Sequence, residues 1–500
     1  MPGYVEDTIA AIATAPGIGA ISVIRVSGRD ARAIVGRILR PAPARAASGT
    51  PAAIPGDIRS WGSHRACLAT LVDPGSGSPI DRALVLPMLA PRSYTGEDVV
   101  ELHCHGGRLV PERALRALLA AGARGARPGE FTERAFLNGK LDLCQAEAVA
   151  DLIEATSDAG HSAAWHQLDG TLSRAINVLH EQVLDARALV EAHLDFPEDD
   201  LPASSEQSIA GALDAAARSL RTLSATYERG RLARDGLRVV LAGKPNVGKS
   251  SLMNALLGRE RALVSHEAGT TRDYLEEPAA LGKLQALLCD TAGIREAGGE
   301  TERAGIRLSE EQLARADVIV VVLDCARPLD QEDAAVLRTT AASTAPIVVA
   351  LNKIDLAPAF SGRELLLPGG LLDPARFASP DPTVRVDSAR RREAPSVIPV
   401  SATGGQGIAA LAAAVHETLA GTAAEPLRET LLVTRARQHA ALERSTVALE
   451  EARAVLVSGG ELEVVACELQ LALVELEAIV GLTSTEEVLD RIFSKFCIGK

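Results

Sequence analysis

The sequence is poor in aromatic residues and in lysine. Phe, Trp and Tyr make up 3% of its 500 residues, so Ala, Leu and Val must supply most of any hydrophobic core. Only seven of the 52 basic residues are lysine, and the rest are arginine. Because arginine would serve wherever only a positive charge is needed, each remaining lysine is informative.

Cysteine pairs, long apolar runs and a secretory signal are also missing. The seven cysteines include no CxxC spacing, and an odd, scattered set argues against a disulfide framework and fits a reducing compartment. The sequence has no apolar run of about 18 residues, so we expect no membrane span. Glu6 and Asp7 stand where a signal peptide carries positive charge, so we expect a cytoplasmic protein.

The charge is unevenly distributed. The whole chain has a net charge of −13, and its 47% hydrophobic and 23% charged residues are ordinary for a globular protein. Residues 1–140 hold 17 basic and 12 acidic residues, a net of +5, whereas the other 360 residues hold 35 and 53, a net of −18. A polyanion should therefore prefer the first part of the chain.

Four regions differ in their pattern of apolar residues, and this predicts a multi-domain protein with α/β and α parts. Residues 1–140 mix α and β patterns, and residues 141–234 and 423–500 carry apolar residues at helical spacing. Residues 235–422 alternate β-branched runs with helices, which is typical of a parallel sheet covered on both faces. Neither helical half alone would bury much core. We therefore expect the α/β domain to be inserted into one helical domain, with two separate helical domains as the alternative.

Individual elements can be predicted within these regions. The apolar runs at 20–27 and 83–89 predict buried strands, and the spacing predicts helices over 107–122 and about 206–234. Residues 358–395 are rich in Pro, Gly, Arg and Asp, which predicts a surface excursion.

A phosphate-binding motif follows the strand pattern LRVVLAG. GKPNVGKS at 243–250 fits G-x-x-x-x-G-K-[ST] between a strand and a helix. The two glycines let backbone N–H groups wrap a phosphate, Lys249 can reach the β- and γ-phosphates, and the Ser250 hydroxyl can ligate Mg²⁺. The predicted nucleotide-binding residues of this segment are Gly243, Asn246, Val247, Gly248, Lys249, Ser250 and Ser251.

Two further segments predict γ-phosphate and Mg²⁺ sensing. In DTAG, Asp290 can hold the water shell of Mg²⁺ and the Gly293 N–H can sense the γ-phosphate. AGTTRD at 268–273 lies where a switch loop supplies a Thr to Mg²⁺. The predicted nucleotide contacts of DTAG are Asp290, Thr291, Ala292 and Gly293.

Two motifs near the end of the α/β region predict that the base is guanine. In NKID, Asp355 can accept hydrogen bonds from the exocyclic amine and N1–H of guanine, and Lys353 can pack its stem on the base. SAT at 401–403 can touch guanine O6 through backbone N–H groups. The predicted contacts are Asn352, Lys353, Asp355, Ser401 and Ala402. Together the motifs predict a GTP-binding domain.

The residue after DTAG bears on hydrolysis. Ras-like enzymes orient water with a Gln there, but this chain has Ile294. An apolar side chain cannot orient water, so we expect one of the acids downstream, Glu296, Glu300 or Glu302, to do so. Asn246 carries an amide oxygen suited to a monovalent cation, although an ordinary turn residue is the alternative.

The motifs resemble the MnmE (TrmE) family of tRNA-modification GTPases. GKPNVGKSSLMNALL, AGTTRD, and DTAGIRE followed by TERAGI carry the resemblance in the GTPase region. Outside it, YTGEDVVELHCHGG (94–107), RPGEFTERAFLNGKLDLCQAEAVADLI (127–153) and the terminal FCIGK (496–500) also match. The resemblance therefore covers the whole chain.

The resemblance implies a fold, an activity and partners. It implies an α+β N-terminal domain, similar to tetrahydrofolate-binding modules, through which the protein forms a homodimer. It implies a K⁺-activated GTPase that acts with an FAD-dependent partner, MnmG (GidA), in a heterotetramer or larger complex. The product would be an aminomethyl-type group at C5 of the wobble uridine of certain tRNAs, with a folate one-carbon unit and either ammonia or glycine as co-substrate.

The resemblance also implies roles for single residues. Thr271 would join Ser250 as a Mg²⁺ ligand, and Glu302 would orient the attacking water. Ser265, Thr270 and Thr271 would also line the GTP site. The implied K⁺ ligands are Asn246, Ser265, Glu267 and Thr270.

The implied folate contacts come from both ends of the chain. They are Arg25, Glu101, Lys140 and Lys500, and Cys497 matches the family's terminal cysteine. The alternatives are that Lys140 is a helix-capping charge, that Lys500 lies in a solvated tail and that Cys497 is an inert thiol. We predict that the terminal CIGK folds back onto the N-terminal region, in its own subunit or its partner's.

Two other functions remain open from the sequence. Ribosome-assembly GTPases share the phosphate motif and DTAG, but they usually carry a basic RNA-binding appendage. The last region here is helical and acidic. A folate-dependent aminomethyl or methyl transferase with an accessory GTPase is the second alternative.

Overall fold

The structure, a computed structural model, describes ten stretches of the chain. They are residues 7–41, 58–155, 157–195, 203–257, 276–281, 284–290, 312–356, 396–423, 431–483 and 485–500. The stretch predicted as a surface excursion, 358–395, lies outside them.

The chain divides into two compact units. The first unit comprises Met1–Glu154, Ala164–Ala225 and Ala436–Lys500, and the second comprises Ala155–Ala163 and Thr226–Arg435. The bounds of the four predicted regions stay predictions.

The strands and helices are numbered in chain order. The strands are β1 Ile9–Ile12, β2 Ile21–Ser27, β3 Leu39–Pro41, β4 Cys67–Val72, β5 Pro79–Met88, β6 Val99–His105, β7 Arg124–Gly125, β8 Leu237–Ala242, β9 Glu276–Leu281, β10 Leu284–Asp290, β11 Val318–Asp324, β12 Ile347–Asn352 and β13 Ser396–Pro399. The helices are α1 Ala31–Arg37, α2 Leu109–Ala120, α3 Glu130–Leu137, α4 Leu143–Glu154, α5 Asp158–Leu168, α6 Thr171–Asp195, α7 Ala203–Ser224, α8 Tyr227–Asp235, α9 Lys249–Leu257, α10 Gln331–Ala341, α11 Ile408–Ala423, α12 Ala436–Val457, α13 Leu462–Val480 and α14 Glu486–Phe493.

The first unit contains a seven-stranded sheet in the order β3-β4-β5-β6-β2-β1-β7. Every pair is antiparallel except β1 with β7. Along β2, Ile24 and Val26 alternate with half-buried residues, so they face the core while Arg25 lies on the other face. Helices α1 and α2 cover the core face, where Val35 and Leu118 join these strand residues. The strands predicted at 20–27 and 83–89 and the helix at 107–122 are confirmed as β2, β5 and α2.

The rest of the first unit is helical. Four long helices, α6, α7, α12 and α13, pack on one another. Buried residues at three- and four-residue spacing on α6, Leu179, Val183, Ala186 and Val190, show why this sequence forms an amphipathic helix. Because the segments 164–225 and 436–500 share this unit, residues 226–435 lie between two parts of the same helical body in the chain.

The second unit contains a six-stranded sheet in the order β13-β12-β11-β8-β10-β9. All pairs are parallel except β9 with β10. Two separate apolar clusters lie on its two faces, which is why β11 reads VIVVVLD and is buried at every position. The predicted α/β and α fold class is confirmed.

One helix prediction needs correction. The single helix expected over about 206–234 is two helices, α7 and α8, because the chain turns at residues 225–226. At this turn the Thr226 hydroxyl accepts a hydrogen bond from Val433 N at 3.0 Å. This tertiary contact has no signal in the local apolar spacing.

None of the helices in the described ranges is both long enough and apolar enough to cross a membrane.

Candidate functional site

The segment between β8 and α9 forms a tightly wrapped loop, which we call the phosphate loop (residues 243–250). Gly248 has φ +96°, in the left-handed region that glycine adopts readily. A Cβ at Gly243 would lie 2.6 Å from Val322 O, and one at Gly248 would collide with the Asn352 amide. Close packing therefore explains both glycines of the motif.

The Lys249 side chain lies inside the phosphate loop. The residue is 4% exposed, and Nζ donates to Gly243 O at 2.6 Å and to Lys244 O at 2.9 Å. Ser250 and Ser251 follow in the first turn of α9 and are exposed. A helix N-terminus with a buried ammonium beside it favours an anion. The geometry of the loop thus supports its predicted role in phosphate binding.

Asn352, at the end of β12, connects the phosphate loop with the segment after β13. It is buried, Nδ2 donates to Val247 O at 2.8 Å, and Oδ1 accepts from Ala402 N at 3.0 Å. Ser401 is also buried, and its Oγ accepts from Gly404 N at 2.9 Å. The motifs GKPNVGKS, NKID and SAT therefore meet at the carboxyl edge of the parallel strands, where α/β sheets bind ligands.

Lys353 supports the phosphate loop from the same edge. Its Nζ donates to Asn246 O at 2.9 Å and to Asp324 Oδ2 at 2.7 Å. Burial alone would raise the pKa of Asp324, but hydrogen bonds from Lys353 and from Ala326 N hold it below its usual value. Asp324 is therefore a carboxylate at neutral pH and fixes the ammonium.

Sequence reasoning missed Asp324. The available signal was an acid at the end of the buried run VIVVVLD, at the carboxyl end of a parallel strand.

Asp355 lies exposed in the short 3₁₀ turn Ile354–Leu356. Asn246 is exposed with φ +64°, a conformation that asparagine tolerates better than most residues. This geometry fits both a cation ligand and a turn residue, so the assignment of Asn246 stays a prediction.

Part of the predicted nucleotide site lies outside the described residues. For Asp290 the structure describes only its place at the end of β10. The predicted residues beyond the described ranges are Ser265, Glu267, Thr270, Thr271, Thr291, Ala292, Gly293 and Glu302. Their roles stay predictions.

A second polar cluster lies on the sheet of the first unit. Arg25 of β2 and Glu101 of β6 are cross-strand partners, and Arg25 Nε and Nη2 donate to Glu101 Oε1 at 3.0 and 2.9 Å. The other carboxylate oxygen lies 3.2 Å from His103 Nε2. The Arg25 guanidinium also lies over the rings of Tyr94 and Phe131, 5.2 and 5.7 Å from their centroids.

The C-terminus of the chain docks beside Arg25. Gly499 O accepts from Arg25 Nη1 at 3.4 Å, and Lys500 O accepts from Phe131 N at 3.2 Å. Ile498 forms an antiparallel bridge with Pro128. We call Arg25, Glu101, Tyr94, Phe131 and residues 497–500 the Arg25 cluster. The predicted fold-back of CIGK onto the N-terminal region is therefore present within one chain.

The side chains of this tail differ in environment. Cys497 is exposed, whereas Lys500 is half-buried. Burial, together with the nearby charge of Arg25, lowers the pKa of the Lys500 amine. Lys140 is exposed and its Nζ donates to Pro91 O at 3.1 Å. The structure thus brings Arg25, Glu101 and the terminal residues together, whereas the Lys140 side chain bonds to Pro91.

A buried ion network holds the segment that receives the tail. Arg134 is 4% exposed and donates to Asp7 O at 2.8 Å, Glu97 Oε1 at 3.2 Å and Glu130 Oε1 at 3.3 Å. Arg124 also pairs with Asp7 and Glu130. Sequence reasoning missed this network. The alternating charges of RPGEFTER were its only signal.

Two family models and full-length relatives match this chain. The family model "GTP-binding protein TrmE N-terminus" matches residues 8–140, and the model "MnmE helical domain" matches residues 143–497. A tRNA modification GTPase MnmE from Geobacter sulfurreducens is 41% identical over 497 residues, which covers 99% of this chain and 100% of the relative. One from Symbiobacterium thermophilum is 43% identical over 495 residues, with the same coverage.

Among solved structures, Era from Aquifex aeolicus bound to GDP·AlF₄⁻ is similar in part. It is 26% identical, covers 42% of this chain and 66% of its own, and has a TM-score of 0.27. The fold assignment rests on the sheet topology and the family models, and not on this superposition.

Proposed function

We propose, from the premise that this chain belongs to the MnmE family of tRNA modification GTPases, that K⁺-activated GTP hydrolysis in its second unit drives modification of C5 of the wobble uridine in certain tRNAs. The chain is a GTP hydrolase that acts in tRNA modification, as its full-length relatives are. The proposed product is an aminomethyl-type derivative, whose one-carbon unit comes from a tetrahydrofolate.

One observation carries the GTP proposal. The side-chain amide of Asn352 bonds both to Val247 O of the phosphate loop and to Ala402 N of SAT. The motif proposed to read guanine is thus joined by hydrogen bonds to the motif proposed to hold its phosphates. Asp355, two residues after Lys353, is exposed for the amine and N1–H of the base.

The described residues fit a magnesium ion. Ser250 offers an exposed hydroxyl one residue after the buried Lys249, and Mg²⁺ prefers such hard oxygen ligands. When bound, the ion neutralises charge that develops on the β- and γ-phosphate oxygens. Thr271 is the second proposed ligand. Lys249, held by two loop carbonyls, would exchange these partners for phosphate oxygens.

Hydrolysis also needs a group that orients water. Because Ile294 cannot do this, we assign the role to Glu302 of TERAGI, which would hold the attacking water or take its proton. The proposed K⁺ site begins at the Asn246 amide, which is exposed on the phosphate loop, and is completed by Ser265, Glu267 and Thr270. An added cation at this loop would offset phosphate charge during hydrolysis.

The folate proposal rests on the chemistry of the Arg25 cluster. A reduced folate has a flat ring system and a tail with carboxylates. Arg25 and the half-buried Lys500 are cations suited to carboxylates, and Tyr94 offers an aromatic ring beside them. Lys140 and Glu101 complete the proposed contacts, and Cys497 is a candidate functional thiol.

The proposed partners follow from the family. They are a second copy of this chain, a tRNA, and an FAD-dependent protein similar to MnmG (GidA) in a heterotetramer or larger complex. The proposed compartment is the cytoplasm.

The test is an analysis of tRNA nucleosides. A strain that lacks this protein should accumulate wobble uridine without the aminomethyl-type group. Wild-type chain should restore the modification, and a Lys249→Ala chain should not. Normal nucleosides together with unbalanced ribosomal subunits would instead support a ribosome-assembly factor.

A further inference from the structure

The second residue of the phosphate loop, Lys244, has an unusual environment for a lysine. Its side chain is 5% exposed, and Nζ lies 2.5 Å from Asp330 Oδ2 and 2.5 Å from Asp333 Oδ2. Buried lysines are rare unless they are paired. In a chain with 52 basic residues of which only seven are lysine, this pairing calls for a specific role.

The two carboxylates form the start of α10. Asp330 is the N-cap, and its Oδ1 accepts from Glu332 N at 3.0 Å and Asp333 N at 3.1 Å. Asp333 Oδ2 accepts in return from Asp330 N at 3.1 Å, which completes a capping box. Lys244 therefore binds a pair of carboxylates that the helix itself holds in place.

The contact of Lys244 with Asp330 and Asp333 pairs opposite charges at a buried position. Asp333 is 1% exposed, and its Oδ1 has no hydrogen-bond partner among the described residues. Burial would lower the pKa of Lys244, but the bonds to Asp330 and Asp333 outweigh it and raise that pKa. The bond from Lys244 lowers the pKa of Asp330 to about 2. Lys244 and Asp330 therefore both stay charged at neutral pH.

The main chain of Lys244 leads to the phosphate-binding lysine. Lys244 O accepts from Lys249 Nζ at 2.9 Å. A continuous set of contacts thus runs from the capping box of α10 through the Lys244 side chain and carbonyl to the Lys249 ammonium.

We propose that Lys244 is a positioning residue that acts through Lys249, by anchoring the start of the phosphate loop on α10 so that the loop is preformed for the β- and γ-phosphates of GTP. The inference rests on the proposed assignment of residues 243–250 as the phosphate loop. Without the anchor, the loop samples other conformations. The apparent affinity for GTP then falls in proportion to the population that remains competent.

The test compares nucleotide affinity with folding stability. In the full-length protein with Mg²⁺ and K⁺, Lys244→Met should bind a non-hydrolysable GTP analogue roughly tenfold or more weakly, because the competent fraction falls by that factor. Lys244→Arg keeps the charge in a larger, planar group and should bind the analogue more tightly than Lys244→Met but more weakly than native protein. Lys495→Met, at an exposed lysine of the first unit, is the matched control.

A double variant separates positioning from simple charge balance. Lys244→Met with Asp333→Asn removes the uncompensated buried carboxylate but leaves an oxygen to accept from Asp330 N. It should regain the thermal unfolding midpoint of the native protein and still bind the GTP analogue weakly. If its affinity returns to the native value, Lys244 only balances a buried charge and the proposal is wrong. Native affinity in a folded Lys244→Met would overturn it equally.

A Lys249→Ala control tests the premise that residues 243–250 form the phosphate loop. If Lys249→Ala binds the GTP analogue as tightly as native protein, residues 243–250 are not the phosphate loop, and the proposed function fails. If Lys249→Ala loses binding while Lys244→Met does not, the phosphate loop stands and only the positioning role is lost.

Discussion

The phosphate loop of the second unit and the Arg25 cluster of the first unit hold their cations in different ways. Lys249 donates to carbonyls of its own loop, five and six residues away. Arg25 donates to Glu101 and to Gly499, which lie 76 and 474 residues away in the chain. The first cation is held mainly by sequence neighbours, whereas the second depends on partners that only the folded unit supplies.

The two sites should therefore respond differently to changes in the chain. The phosphate loop depends on short-range geometry, with supports from Asn352 and Lys353. The Arg25 cluster depends on the last residues of the chain. A change at the C-terminus should therefore impair the Arg25 cluster without impairing the phosphate loop, because it removes partners of Arg25 only.

Deletion of residues 497–500 should have the largest effect. We expect it to abolish wobble-uridine modification, because it removes Lys500 and the carbonyl that binds Arg25. K⁺-dependent GTP hydrolysis should stay near native, because the described contacts of the tail lie in the first unit and the phosphate loop lies in the second. Nucleoside analysis, a phosphate-release assay and calorimetric titration with a reduced formyl-folate measure the three quantities. Unchanged folate affinity and modification would show that the tail is only a solvated end.

Glu302→Ala tests the other region. GTP binding should stay near native, while single-turnover hydrolysis falls roughly 10²-fold or more, as expected when a group that orients water is removed. Glu296→Ala and Glu300→Ala are the matched controls in the same segment. Near-native hydrolysis by Glu302→Ala would transfer the role to one of these two acids.

Exchange of K⁺ for Na⁺ should have a smaller effect, roughly tenfold on GTP turnover or about 1.4 kcal/mol, because Na⁺ keeps the positive charge at the site and changes only the fit to its ligands. Asn246→Ala should bind GTP but hydrolyse it at the same low rate in both salts. Equal turnover of the native protein in Na⁺ and K⁺ would exclude the proposed potassium site and leave Asn246 as a turn residue.

The smallest expected effect is a pH dependence of the first unit. Burial would raise the pKa values of Asp7 and Glu130, but both are held below their ordinary 3.8 and 4.5. For Asp7 the cause is hydrogen bonds from Arg124 and Arg134. For Glu130 it is hydrogen bonds from Arg124 and the Arg127 N–H, together with the charges of Arg124 and Arg134. Carboxyl groups with lowered pKa stabilise the fold above their ordinary values and lose this contribution as pH falls through the lowered ones. Protection of β1 and β2 amides from hydrogen exchange should therefore decrease as pH falls below about 4.5.

A variant checks the source of this pH dependence. Arg134→Met removes one of the two arginines, so the protection should depend less on pH than in the native protein. A pH dependence of unchanged size in Arg134→Met would mean that other carboxyl groups produce it.

Much of the nucleotide site could be predicted from the sequence. Its residues are contiguous, and a strand, a glycine-rich turn and a helix N-terminus must follow one another to wrap a phosphate. The parallel strands were predictable for a similar reason, since burial on both faces forces continuous apolar runs such as VIVVVLD. The docking of CIGK near Arg25 could be expected from the family resemblance and the rarity of lysine, whereas the pairing of Arg25 with Glu101 was not predicted.

Contacts between charges that lie far apart in the sequence depend on how the elements pack. Asp324 fixes Lys353, and the capping box of α10 anchors Lys244. Arg134 pairs with Asp7 and with two further acids. Tertiary structure also divided the predicted helix at Thr226, where Val433 N finds its acceptor. Local motifs such as the phosphate loop follow from the order of residues along the chain, because backbone geometry and periodic burial act over a few residues. Charge pairing and hydrogen bonding between separate elements depend on how these elements pack, and no spacing along the chain encodes that.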